Sequence, residues 1–270
     1  MMRLKIIVCV FMYFSSSCFE LNATEGVDSI LISDIHSSFD DLEYIGDEIL
    51  HASSASLMKA SIVVGTSILA MQLDEDMRTI SQKNAPFIDR NLISLANGYG
   101  ELMYPAIGTI TMYGLGLAFS DEEVRLFSRK TCTSLLVAGA MTTIIKSMIG
   151  RSRPYLNQGN HVFTPFNIND GTLSYPSGHT TVAFVMSTSL SRYIDRWWAD
   201  ILLYGLATGT AYARMHHDKH WLSDTVLGGA IGYFVTQWVY DSDKNPSHLS
   251  SKATIVPQIA PNSLGILVQF

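Results

Sequence analysis

Six apolar stretches, each too long to be a strand and separated by short polar links, constrain this chain more than any other feature. They run from about Leu57 to Leu73, Leu102 to Ser120, Thr131 to Ile149, Thr180 to Leu190, Asp200 to Ala213 and Trp221 to Tyr240. Apolar runs of this length read as helices, since buried strands seldom exceed about eight residues. The expectation is an all-α fold with a six-helix core. Gly139-Ala140 and Gly228-Gly229-Ala230 lie inside these runs, where small residues let helix backbones approach closely. Aromatic residues gather near the ends, at Trp197-Trp198, Trp221, Trp238 and Tyr240, as they do where helices meet a membrane interface. Charge points the same way. Charged residues make up 16% of the chain, against roughly a quarter in soluble domains, and mean hydropathy is +0.20. A net charge of -6 speaks against a nucleic-acid partner, which calls for a basic excess. With 270 residues and no flexible linker, one core is expected.

The chain divides further by composition. Residues 1–23 read as a signal peptide: Arg3 and Lys5 precede an apolar run from Ile6 to Phe14, and Leu21-Asn22-Ala23 offers a cleavage site. An uncleaved first membrane helix is the other reading, although the run falls well short of the ~20 residues a span requires. Residues 24–55 form an acidic lead carrying Asp28, Asp34, Asp40, Asp41, Glu43, Asp47 and Glu48. Two of the three cysteines, Cys9 and Cys18, fall in the signal segment, so the processed chain would keep Cys132 as a buried thiol without a disulfide partner. The tail, 241–270, alternates apolar and polar residues around Pro261-Asn262-Ser263, which predicts a small hairpin.

Three separated stretches carry chemistry. Lys146 ends an apolar helix and Arg153-Pro154 follows. A lysine supplies a point charge and an arginine a planar fork matched to two phosphate oxygens, although such a pair alone is commonly an interfacial anchor. Pro176-Ser177-Gly178-His179 opens the next apolar run. There Ser177 is a helix cap, the following amides face outward as an anion site, and His179 stands where it can pass a proton to a leaving oxygen. Alone, that tetrad would be a capped helix with an incidental histidine. Arg214 precedes His220, and Asp224 lies four positions beyond it, on one helix face. A carboxylate on one ring nitrogen fixes the tautomer and frees the other nitrogen as nucleophile. His216 and His217 read as solvated loop residues. No metal is expected, since a site rich in lysine and arginine repels a divalent cation.

In order and spacing these stretches resemble the signature of the type 2 phosphatidic acid phosphatase and vanadium haloperoxidase superfamily. The likeness covers roughly Leu57 to Tyr240, and a phosphatase domain over 56–240 is expected. It implies a six-helix bundle core and a phosphatase that works without metal or other cofactor through a phosphohistidine. By the same resemblance, Lys146, Arg153, Ser177, Gly178 and Arg214 bind phosphate, His220 attacks phosphorus, Asp224 orients it and His179 protonates the departing alkoxide. One departure is visible: Ala213 stands where the family commonly has serine.

The expected substrate is a phosphate monoester or diphosphate on a lipid headgroup, handled at the membrane. A soluble periplasmic acid phosphatase and a vanadate-dependent haloperoxidase are the alternatives. The expected location is a bacterial inner membrane with a periplasm-facing site. Links holding Arg125, Arg129 and Lys130, and Arg192 and Arg196, would then be cytoplasmic, as the positive-inside rule requires.

Overall fold

A computed structural model describes residues 26–84, 88–244, 254–260 and 263–269; the expected signal peptide, with Cys9 and Cys18, lies outside them. The architecture is all-α, with helices α1 (Val27–Leu50), α2 (Ser54–Ala70), α3 (Asp74–Asn84), α4 (Arg90–Tyr99), α5 (Met103–Ala118), α6 (Glu122–Ile149), α7 (Gly178–Ile194), α8 (Trp197–His216) and α9 (Leu222–Asp241). In the tail, strand β1 (Thr254–Ala260) pairs antiparallel with β2 (Ser263–Gln269), Thr254 opposite Gln269 and Ala260 opposite Ser263.

The ends of the long helices follow from local chemistry. Asp121 caps α6, its carboxylate accepting from the Val124 amide at 3.0 Å, and Glu122 and Glu123 place negative charge at the positive end of the helix dipole. The helix ends at Gly150, which adopts φ +61, and a Cβ there would strike the Thr164 carbonyl. Only glycine serves as that left-handed cap. Helices α7 and α9 cross closely because Gly228 faces the Ser177 carbonyl, where an added Cβ would come within 2.5 Å. The same closeness lets the Ser177 amide donate to the Asp224 carbonyl at 2.9 Å, which locks the starts of the two helices together.

The main core lies between α6, α7 and α9, built on Leu135, Ala138, Val182, Val185, Leu227, Ile231, Val235 and Val239, with Tyr175 from the loop and Ile45 from α1 closing its ends. A smaller cluster of Ile93, Ala96 and Ala213 packs α4 on α8.

Several expectations need correcting. The acidic lead contains helix α1, docked by Ile45 and by a buried Asp41. The polar link from Asp74 to Glu101 contains α3 and α4. Arg129 and Lys130 do not sit in an exposed link: they lie inside α6, 7% and 1% exposed, paired with Asp41, so they are no free cytoplasmic charges for a sidedness count. Trp221 is no interface aromatic; it is buried, its indole donating to the Ser152 carbonyl at 3.0 Å. Gly139 faces open space and brings no helix closer.

Among the described residues, two helical stretches, Ser54–Lys83 and Glu122–Ile149, are long and apolar enough to cross a membrane. The first continues past Leu73 without a break, since a short 3-10 turn over Met71–Leu73 joins α2 to α3. Its apolar side chains, such as Leu57, Ile62 and Leu69, face outward, as do Met103, Ile107 and Ile110 on α5. Outward apolar surface of this extent needs a covering medium.

Candidate active site

The site forms where the C-terminal end of α6, the N-terminal ends of α7 and α9 and the loop 150–177 meet. Lys146 stands one turn before the end of α6, and the Gly150 cap turns the chain back so that Arg151, Ser152 and Arg153 run along the following loop, the Ser152 amide donating to the Val162 carbonyl at 3.0 Å and the Arg153 amide to the Gly171 carbonyl at 2.9 Å. An isolated bridge between Arg151 and Phe163 pins this turn. Lys146 Nζ donates to the Leu173 carbonyl at 2.6 Å, and a Cβ on Gly178 would sit 3.9 Å from Lys146 Cε, so the Pro-Ser-Gly-His segment lies against the lysine. Arg153 donates to Asp170, through Nε to its carbonyl and through a terminal nitrogen to its carboxylate, both at 2.8 Å.

Ser177 caps α7 and is fully buried; its Oγ accepts from Thr180 Oγ1 at 2.9 Å. In the first turn of α7, His179 Nε2 lies 3.0 Å from Glu101 Oε2. Burial lowers the His179 pKa from its ordinary value, Arg214 adds to the depression, and Glu101 opposes it. Arg214, on the last turn of α8, is 9% exposed and donates to Asn97 Oδ1 at 2.7 Å, while its Nε is buried with no protein partner among the described residues.

His220 and Asp224 are both buried, and His220 Nδ1 stands 3.4 Å from Asp224 Oδ2. That is ion-pair distance rather than a well-made hydrogen bond. Asp224 is in fact crowded: Oδ2 also accepts from Ser174 Oγ at 2.5 Å and from the Trp221 amide at 2.8 Å, and Oδ1 accepts from Arg151 at 2.6 Å. Burial holds the His220 imidazole well below the usual histidine range against the pull of Asp224, and Lys146 and Arg153 depress it further. The resting imidazole is therefore neutral.

The structure thus gathers Lys146, Arg153, Ser177, Gly178, His179, Arg214, His220 and Asp224 at one end of the bundle. His216, read as solvated, is half-buried instead, and with Arg90, Asn97 and His217 it lines a cavity of about 330 Å³ beside Arg214. Ala213 is fully buried in the α4–α8 cluster, a place where a serine hydroxyl would have no water. Sequence reasoning missed Arg151, Asp74, Ser174, Asn97 and Glu101. The doubled arginine in Gly150-Arg151-Ser152-Arg153 and a carboxylate at the end of an apolar run at Asp74 were signals; nothing in the sequence paired Glu101 with His179 across seventy-eight positions.

The model of the PAP2 superfamily matches residues 128–246, which bears out the resemblance read from the motifs. A lipid A 1-phosphatase of Porphyromonas gingivalis is 25% identical over 186 residues, 66% of this chain and 37% of that protein. A lipid A 1-phosphatase of Rhizobium etli is 28% identical over 102 residues, 37% of this chain and 43% of that protein. The chain therefore spans about two-fifths of the length of these relatives. The crystal structure of Aquifex aeolicus LpxE superposes with a TM-score of 0.43 at 17% identity, covering 63% of this chain and 95% of that one.

Proposed function

We propose that this chain, with the PAP2 superfamily pattern over 128–246, is a phosphatase that removes a phosphate from a lipid headgroup through a phosphohistidine on His220. The observation that carries the reading is the gathering of Lys146, Arg153 and Arg214 about two histidines, His179 and the buried His220, the latter backed by a carboxylate. Arg153 and Arg214 both act on Lys146 electrostatically, and Lys146 and Arg153 act on His220.

With Nδ1 turned to Asp224, the lone pair of Nε2 attacks phosphorus. The bond from phosphorus to the headgroup oxygen breaks, and the alkoxide takes a proton from His179 Nε2, from which the half-exposed Glu101 withdraws. Water then attacks the phosphorylated imidazole, gives its proton back to His179, and the N–P bond breaks to return neutral His220 and inorganic phosphate. Phosphoryl transfer asks the protein mainly to align the nucleophile and stabilise charge on the equatorial oxygens. Lys146, Arg153, Arg214 and the amides following Ser177 supply that charge without a divalent ion.

A lipid substrate is supported by the outward apolar faces of α2 and α5 and by the two relatives named for lipid A. Among phosphorylated lipids, a lipid A-type glycolipid is the first candidate. We place the site on the periplasmic face of the inner membrane. Asp41 binds Arg129 and Lys130 in the first half of α6, so α1 then lies towards the cytoplasmic end.

The test is phosphate release from detergent-dispersed lipid A, phosphatidate, phosphatidylglycerol phosphate and polyprenyl diphosphate, in excess EDTA. Turnover of at least one lipid, with an acid-labile phosphate mapped to His220, is expected. Loss of activity in EDTA, or a label on another side chain, would overturn the mechanism.

A further inference from the structure

Asp74 lies outside the matched stretch and far from the three motifs in sequence, yet it is bound into the catalytic end of the bundle. Its side chain is completely buried, as are those of Arg151 and Asp224. The Arg151 fork joins the two carboxylates: Nη1 reaches Asp224 Oδ1 at 2.6 Å and Ser223 Oγ at 2.7 Å, and Nη2 reaches Asp74 Oδ2 at 2.6 Å. Asp74 is also held from the other side, Oδ1 accepting from the Ser223 amide at 2.9 Å and Oδ2 from Ser223 Oγ at 2.8 Å. The remaining Arg151 donors go to the Asn160 carbonyl.

Count the charges in this sealed row. Asp224 and Arg151 alone would form a neutral pair, and the carboxylate behind His220 would have little field left for an imidazole acquiring positive charge. A second carboxylate on the same guanidinium changes the balance: with Asp74 held ionised against its burial by Arg151 and Ser223, the row carries one net negative charge, which offsets the positive charge the imidazole ring acquires on phosphorylation. Buried charges interact strongly because little water screens them.

We propose that Asp74 is a positioning residue for the reaction: by sharing Arg151 with Asp224, it keeps the Asp224 charge available to His220 as the histidine is phosphorylated. This rests on the phosphohistidine reading, and one experiment separates the two. Orthovanadate adopts the geometry of the transferred group and bonds to a histidine nucleophile, so it reports transition-state stabilisation, whereas inorganic phosphate reports ground-state binding. In the full chain, vanadate should inhibit far more tightly than phosphate; if it does not, the phosphohistidine reading fails and the role of Asp74 falls with it.

Given that tight inhibition, Asp74→Asn should weaken vanadate about tenfold while phosphate inhibition stays within about twofold. Both constants are read on the folded fraction, so a loss of stability does not mimic the effect. Equal vanadate affinity, or equal weakening of both inhibitors, would overturn the proposal. Should the asparagine variant not fold, Asp74→Glu carries the test: it keeps the charge and must keep the ratio of the two constants within about threefold. Ser223→Ala, which leaves both carboxylates and the guanidinium in place, must do the same. A tenfold change in the ratio for either variant would mean that packing, not charge, is at work.

Discussion

Helix α6 carries two lysines, Lys130 buried in its first half and Lys146 half-buried near its end, and the two behave as opposites. Lys130 Nζ is surrounded by four acceptors at 2.7 to 2.9 Å: Asp41 Oδ1, the Val239 carbonyl, Ser242 Oγ and Asp243 Oδ1. Arg129 completes the cluster on the other oxygen of Asp41. Lys146, about 24 Å further along at 1.5 Å per residue, donates to one carbonyl, pairs directly with no carboxylate, and feels Arg153 and Arg214 as well as the more distant Asp224 and Asp170. Around Lys130 charge is neutralised within the protein; around Lys146 like charges are held together with hydrogen-bonding capacity unspent, including the buried Arg214 Nε. The first arrangement is what a fold requires of buried ions, and the second is what an anion requires of a site.

Breaking the second region should abolish chemistry without unfolding the chain. His220→Ala removes the nucleophile, and kcat should fall at least about ten-thousandfold, as when other covalent nucleophiles are deleted. Thermal stability should hold or rise, because a buried group with an unsatisfied Nδ1 has been taken away. Phosphate release and a melting curve on the same preparation check both halves; near-parental turnover would remove the site from this end of the bundle. Arg214→Gln, which keeps a polar side chain beside Asn97 but removes the charge, should cost about a hundredfold to a thousandfold in kcat, the range for deleting one oxyanion-stabilising donor.

Breaking the first region should do the reverse. Asp41→Asn leaves Arg129 and Lys130 short of their shared counter-charge inside the protein, and loss of one partner of a buried ion pair costs about 3 to 5 kcal/mol. A denaturation midpoint should drop while kcat per folded molecule stays unchanged. A variant that kept its stability and lost activity would erase the distinction between the two ends.

The same contrast explains what was legible in the sequence. The site residues could be read because anion chemistry needs particular side chains at particular spacings: Asp224 follows His220 by four positions, although the two do not share a helix face as expected, since His220 precedes α9 and Asp224 reaches back to it from the first turn, and Ser177 must begin a helix to aim its amides. The apolar cores of α5 to α9 were legible from their length alone. The acidic composition of 24–55 hid α1, since its docking face consists of a few residues, Asp41 and Ile45 chief among them. Arg129 and Lys130 read as exposed because charged residues at the head of an apolar run usually are; only the fold brings Asp41 to them from eighty-eight positions away. Asp74 and Glu101 were missed for the same reason. Their roles lie in long-range partners, which no local pattern records.

Glu101 supports the smallest expected effect and the sharpest one. His179 must be protonated to serve the leaving oxygen, so kcat/KM is lost as pH rises through the His179 pKa of the free enzyme. Burial and Arg214 hold that pKa below the ordinary histidine value, and Glu101 is the group that pulls it back up. Glu101→Gln removes the upward pull and leaves the others, so the alkaline limb should move to lower pH. Activity at neutral pH should fall severalfold while the plateau at acid pH is nearly kept. Both side chains are partly exposed, so salt should shrink the difference between the variant and the parent. A limb that stays in place would assign the alkaline titration to another group. A limb that moves upward would mean that Glu101 holds His179 away from the leaving oxygen rather than keeping it charged.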